Sequence, residues 1–153
     1  PCPYAGNRLA LVQTNAPGVG RPLFERLHIV RSRQAIWEWL CPICGQSTDE
    51  GDRWWFPSLG RGDIQRKDGT TWAWATLNAG YHRACGHQAM DACPHLSNTG
   101  HQLMPMPRPD AIVAGNLKQI GPSMQGLAIQ PGQVVISNLF LIWRETPVGV
   151  SHA

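Results

Sequence analysis

The residues best equipped for chemistry in this chain are soft metal donors arranged in two close pairs. The first is Cys41-Pro42-Ile43-Cys44-Gly45, a tight turn that brings two thiols and several backbone N–H groups to one spot. Those N–H groups help to hold sulfur in its ionised form. The second pair is His82 and Cys85, whose i, i+3 spacing puts both on one face of a helix's first turn. The partial positive charge of a helix N-terminus also favours a thiolate there. Together Cys41, Cys44, His82 and Cys85 predict a closed tetrahedral shell for one Zn2+ ion. A catalytic zinc keeps an open coordination position and four protein ligands leave none, so the expected role is structural.

Cys93 is the rival ligand. It lies eight residues beyond Cys85, which in a continuous helix is ~12 Å along the axis at ~1.5 Å per residue. One ion cannot hold both, so Cys93 is expected to pack in the interior. His87, five residues after His82, is expected at the surface or behind the ligands, and His28, His95 and His101 carry no ligand pattern. Five cysteines in all, Cys2 included, form an odd set. A secreted disulfide framework favours an even number in a shorter chain, so metal ligation in a reducing compartment is the better reading.

Several elements must position these donors. Residues 33–40 suit a short helix with Ser32 as N-cap and Ile36, Trp39 and Leu40 on one face, feeding directly into Cys41. Two Trp-rich segments, 53–59 and 70–77, follow. Trp54 with Phe56, and Trp72 with Trp74, are two apart and share a strand face. Residues 60–69 separate them and include the turn dipeptide Asp68-Gly69. This pattern predicts a β-hairpin with a long basic tip. Residues 81–93 read as a helix stopped by Pro94. A cysteine knuckle, a hairpin and a helix bearing two ligands in its first turn make the layout of a treble-clef zinc finger.

Around that core, expected at 31–100, the chain predicts β-rich extensions. Residues 1–30 form an amino-terminal extension with strands at 9–13 and 23–30. Residues 101–153 begin with a Pro-rich crossing segment at 101–109. They end in a hairpin built from 126–130, a Pro131-Gly132 turn and 134–143. The fold class is therefore α+β.

Composition narrows the function. The chain has 153 residues, 42% of them hydrophobic and 15% charged, with 16 Gly and 13 Pro. That supports a real core with many turns. No run approaches the ~20 apolar residues of a membrane helix, no signal-peptide pattern is visible, and a cytoplasmic location is expected. The net charge is +3, and its basic surplus lies upstream of the cysteine turn, where five Arg face Glu25 and Glu38. Arg31 and Arg33, together with Arg61, Arg66 and Lys67 on the hairpin tip, are the candidate contacts to phosphate or to an acidic partner.

Enzyme patterns fit poorly. A zinc deaminase needs His-x-Glu ahead of its cysteine pair; here the cysteines come first and His82 is followed by Arg83-Ala84. A thioredoxin-like site needs a βαβ unit. A ββα-metal nuclease could draw on Asn78, His87, Asp91 and His95, but no His-His or Asp-His pair stands where its base is expected. Paired carboxylates, a phosphate-cradling loop and a small-molecule site are not evident.

Ser32-Arg33-Gln34-Ala35-Ile36, Cys41-Pro42-Ile43-Cys44-Gly45, Tyr81-His82-Arg83-Ala84-Cys85 and Ala92-Cys93-Pro94-His95-Leu96 together resemble uncharacterised small proteins of actinobacteria and their phages. The resemblance covers roughly residues 31–96. It implies zinc ligation by Cys41, Cys44, His82 and Cys85 and an actinobacterial or phage source, hence host cytoplasm, and it implies no activity. The resulting expectation is a non-enzymatic binding module, an accessory factor whose partner is a macromolecule. A protein is favoured over nucleic acid because the charge is low and seven Trp are present.

Overall fold

A computed structural model describes residues 2–5, 10, 28–57, 61–65, 71–98, 100–116 and 136–145. Helix α1 (Ile29–Glu38) starts earlier than Ser32, because His28 takes the N-cap and its Nδ1 accepts from the Arg31 N–H at 3.4 Å. Ser32 lies inside the helix, and its hydroxyl donates to the Leu77 carbonyl at 3.4 Å. The helix stops at Trp39, which adopts the left-handed conformation (φ 56°). Bulky residues rarely do so without support, and Thr48 supplies it: its N–H and hydroxyl both donate to the Trp39 carbonyl at 2.8 Å.

The main sheet is antiparallel, in the order β2-β3-β6-β5, from β2 (Arg61–Gln65), β3 (Thr71–Thr76), β5 (Ala111–Asn116) and β6 (Ile136–Trp143). Period-two alternation on β6 sends Leu139, Leu141 and Trp143 to one face, where they pack with Trp74, Trp55, Met106 and the Ile36 of α1. Ile142, with Ala73 and Ala75 of β3, forms a smaller cluster on the opposite face. A two-residue ladder pairs β1 (Trp54–Trp55) with β4 (Met104–Pro105). Helix α2 (Arg83–Ala92) ends at Cys93, and Pro94 opens the short α3 (Pro94–Asn98).

A second cluster joins Cys41, Phe56, Tyr81 and Leu96 to Cys85, Met90, Cys93 and Leu103. Thus β1 and the residue after it straddle two cores, with Trp55 in the sheet core and Phe56 in the cysteine core.

The structure agrees with an α+β architecture, corrects one pairing and adds one strand. The partner of β3 is Arg61–Gln65, which the sequence assigns to the hairpin tip; the Trp54 segment pairs instead with Met104–Pro105 and with Tyr81. The reason is packing. Trp55 sits 4.9 Å from Trp143, and that contact belongs to the core between sheet and α1. Within the described residues β6 pairs with β3 on one side and on the other with Ala111–Asn116, a strand the sequence reading passes over. The predicted strand at 126–130, its Pro131-Gly132 turn and the Asp68-Gly69 turn lie outside the described residues, as does most of the predicted strand at 9–13. Of the predicted strand at 23–30, the described Ile29 and Val30 are helical. No helix among the described residues is long and apolar enough to cross a membrane.

Candidate metal centre

The turn at Cys41 is closed by backbone. Cys41 N–H donates to Gln46 O and Gly45 N–H to Cys41 O, both at 2.8 Å, and Leu40 bridges Ser47. Gly45 sits at φ +73°, a conformation that glycine adopts without steric cost. Arg53 braces the base of the turn. Its Nε donates to Thr48 Oγ1 at 3.2 Å and its Nη2 to Thr48 O at 3.1 Å, while its guanidinium lies 3.9 Å from the Trp39 ring centroid. Opposite, Tyr81 and Trp54 exchange two backbone hydrogen bonds at 2.8 Å. That bridge delivers His82, the N-cap residue of α2, with Cys85 in the first turn.

The four donor atoms of Cys41, Cys44, His82 and Cys85 all lie within 4.8 Å of one another, and the cysteines are free thiols. His82 Nδ1 stands 3.4 Å from the Cys44 sulfur and 4.0 Å from the Cys85 sulfur. Ligand bonds of ~2.3 Å to sulfur and ~2.0 Å to nitrogen in a tetrahedron separate neighbouring donors by roughly 3.5–3.8 Å. The spacing fits one metal ion. His82 Nε2 lies 3.0 Å from the Ser47 carbonyl, so Nε2–H donates there and Nδ1 turns its lone pair to the sulfurs. A carbonyl behind the imidazole is how metal-binding histidines are oriented.

The electrostatics favour a cation. Burial pushes the Cys41 thiol up, but the N–H groups of Cys44, His82 and Ile43 and the Cys44 side chain outweigh it and bring Cys41 down to about 7. Cys85 is pushed up to about 11 by burial and by its sulfur neighbours Cys44 and Cys41. Desolvation lowers the His82 pKa, yet contacts with Cys44, the Ser47 backbone and Cys41 leave it raised. These groups hold protons that a metal ion would replace.

The remaining candidates separate. Cys93 is half-buried against the cysteine core, outside the four-donor cluster. His87 is exposed on α2, and the His95 and His101 rings lie 5.4 Å apart. Arg31 is exposed, whereas Arg33 is 3% exposed, so the two do not share a surface patch. Arg61 begins β2, and Arg66 and Lys67 lie outside the described residues. Among the described residues no second group of three metal-binding side chains gathers. The sequence reading missed Ser47, Thr48 and Arg53. Ser47 acts through its carbonyl, which every residue has; an Arg nine residues after the second cysteine was the only available signal for the brace. Comparison with known protein families, curated proteins and solved structures finds no match for this chain.

Proposed function

We propose that the chain is a zinc-stabilised, treble-clef-type binding module that performs no catalysis and engages a protein partner. The observation that carries this reading is the convergence of three thiols and one imidazole within 4.8 Å. That donor set is typical of structural zinc, and it fills a tetrahedron without leaving a position for substrate or water. Knuckle, β2-β3 hairpin and ligand-bearing α2 follow one another in the treble-clef order. Trp37 and Ile43, exposed by 51% and 47% on α1 and on the knuckle tip, support a protein partner. The resemblance to small actinobacterial and phage proteins suits an accessory factor of that kind.

Elemental analysis of the tag-free protein tests the metal, with one zinc per chain expected. Absence of stoichiometric zinc after purification without chelators refutes the reading. Co-purification from host cells tests the partner: a bound protein retained by the wild type should be lost from Trp37→Ser or Ile43→Ser. Salt-dependent retention on DNA would transfer the proposal to nucleic acid.

A further inference from the structure

Three of the four clustered donors are sulfurs, and the fold shelters them unequally. Cys41 is 1% exposed, Cys85 is half-buried and Cys44 is exposed. Residues 42–47, on both sides of Cys44, are exposed as well. Gly45 beside it has no side chain, and among the described residues nothing stands within 4 Å of where a Cβ there would lie. Solvent therefore reaches the Cys44 sulfur, while the Cys41 sulfur in the same turn is covered.

A redox-sensitive cysteine needs ionised sulfur, access for the oxidant and a second thiol to capture the oxidised product. Zinc supplies the first when bound, because a coordinating thiol is deprotonated. Exposure gives Cys44 the second. Cys41 is the third. The two sulfurs lie within 4.8 Å of each other. Their shared turn is held closed by Cys41 N–H donating to Gln46 O and Gly45 N–H donating to Cys41 O, both at 2.8 Å. Closing the remaining gap to a disulfide length of ~2.05 Å involves only this turn. Cys85 lies within the same limit but on α2, so bonding to it requires two separate elements to shift together.

We propose that the knuckle is also a peroxide-sensitive switch, in which exposed Cys44 is oxidised, buried Cys41 captures it as a disulfide, and the metal site is dismantled. The Cys44 thiolate attacks one oxygen of hydrogen peroxide; the O–O bond breaks, a sulfenic acid forms and hydroxide leaves. The Cys41 thiolate then attacks the Cys44 sulfur; the S–O bond breaks, the S–S bond forms and a second hydroxide leaves. Two thiolates have given two electrons to one peroxide, and the hydroxides take up protons from solvent as water. His82 and Cys85 remain as half of a tetrahedral shell, and the ion is lost.

The switch rests on the zinc reading proposed above, and its test separates the two failures. The full chain is first assayed for zinc, and a chain that binds none fails both. The loaded chain is then treated with hydrogen peroxide beside a chromophoric chelator at neutral pH. Disulfides are mapped by peptide mass spectrometry after alkylation. Release faster than with chelator alone is expected, one zinc per disulfide, with Cys41–Cys44 as the main bond. A dithiol reductant and fresh zinc should restore the original circular dichroism spectrum. A double variant, Cys2→Ser with Cys93→Ser, keeps all four donors and should release zinc at the wild-type rate. Zinc retained under excess peroxide overturns the switch and leaves the zinc reading standing. So does a main bond to Cys85 or Cys93, or an oxidised product that the reductant cannot reverse.

Discussion

At the residue scale the four donors differ in what they contribute, and those differences set what substitution does. Cys41 is the buried anchor, 1% exposed and surrounded by N–H groups; Cys85 carries the proton that has to leave. Cys41→Ser and Cys85→Ser are expected to abolish stoichiometric metal by elemental analysis, whereas Cys93→Ser and His87→Ala keep one ion per chain. The acid–base pattern gives a pH dependence with a definite sign. Between about pH 7 and 11 Cys41 is ionised and Cys85 is not, so binding displaces at least one proton. Affinity then rises about tenfold per pH unit for each proton displaced. Below about pH 7 protons also compete at Cys41, and the slope steepens. A competition titration with a chromophoric chelator from pH 6 to 9 measures it, and a flat profile contradicts this assignment of charge. Spacing alone pointed to the four side chains that cluster, because metal geometry constrains residue type and interval together. Arg33 was misread because a helix face shows in sequence only as a period. Arginine normally lies outside that period, and here it is buried beneath α1.

At the element scale, the strands were legible where their side chains alternate, and their partners were not. The segment around Trp54 carries strand-like aromatics, but a tryptophan pair cannot declare which edge it will meet. Trp55 found Trp143, nearly ninety residues later. The strand Ala111–Asn116 was overlooked because Ala114 and Gly115 dilute its β-propensity. Gly115 has a use, since a Cβ there would run into the Phe140 ring of β6. Gly115→Ala is therefore expected to destabilise the sheet by about 1–3 kcal/mol, the range for overpacking, measured by urea denaturation. An unchanged midpoint would show that the ring moves aside freely. The brace on the knuckle offers a second test. Arg53→Met keeps the apolar stem over Trp39 but deletes both bonds to Thr48 and the cation–π contact. It is expected to lower stability by about 1–3 kcal/mol while zinc stoichiometry stays at one.

At the scale of the whole molecule, the two cores are bound through one short stretch of chain. Trp54 holds Tyr81 by backbone, Trp55 enters the sheet core, Phe56 enters the cysteine core, and Arg53 O accepts from Met106 N–H at 2.7 Å. Arg53 also grips the turn that ends α1, so the four-donor cluster, helix and sheet share a hinge of four residues. Magnitudes decide what loss of the ion does. Structural zinc contributes roughly 10–16 kcal/mol of apparent binding free energy at neutral pH, while the net stability of a whole domain is only about 5–15 kcal/mol. Chelation should therefore unfold both cores in one transition and not release the knuckle alone. The check is amide exchange before and after chelator, with β6 as the reporter. Leu139 and Leu141 lie in the sheet core, away from every ligand, yet their amides should lose protection together with those of α2. A chelated protein whose β6 stays protected while α2 exchanges would show two independent units and break the coupling assigned to residues 53–56.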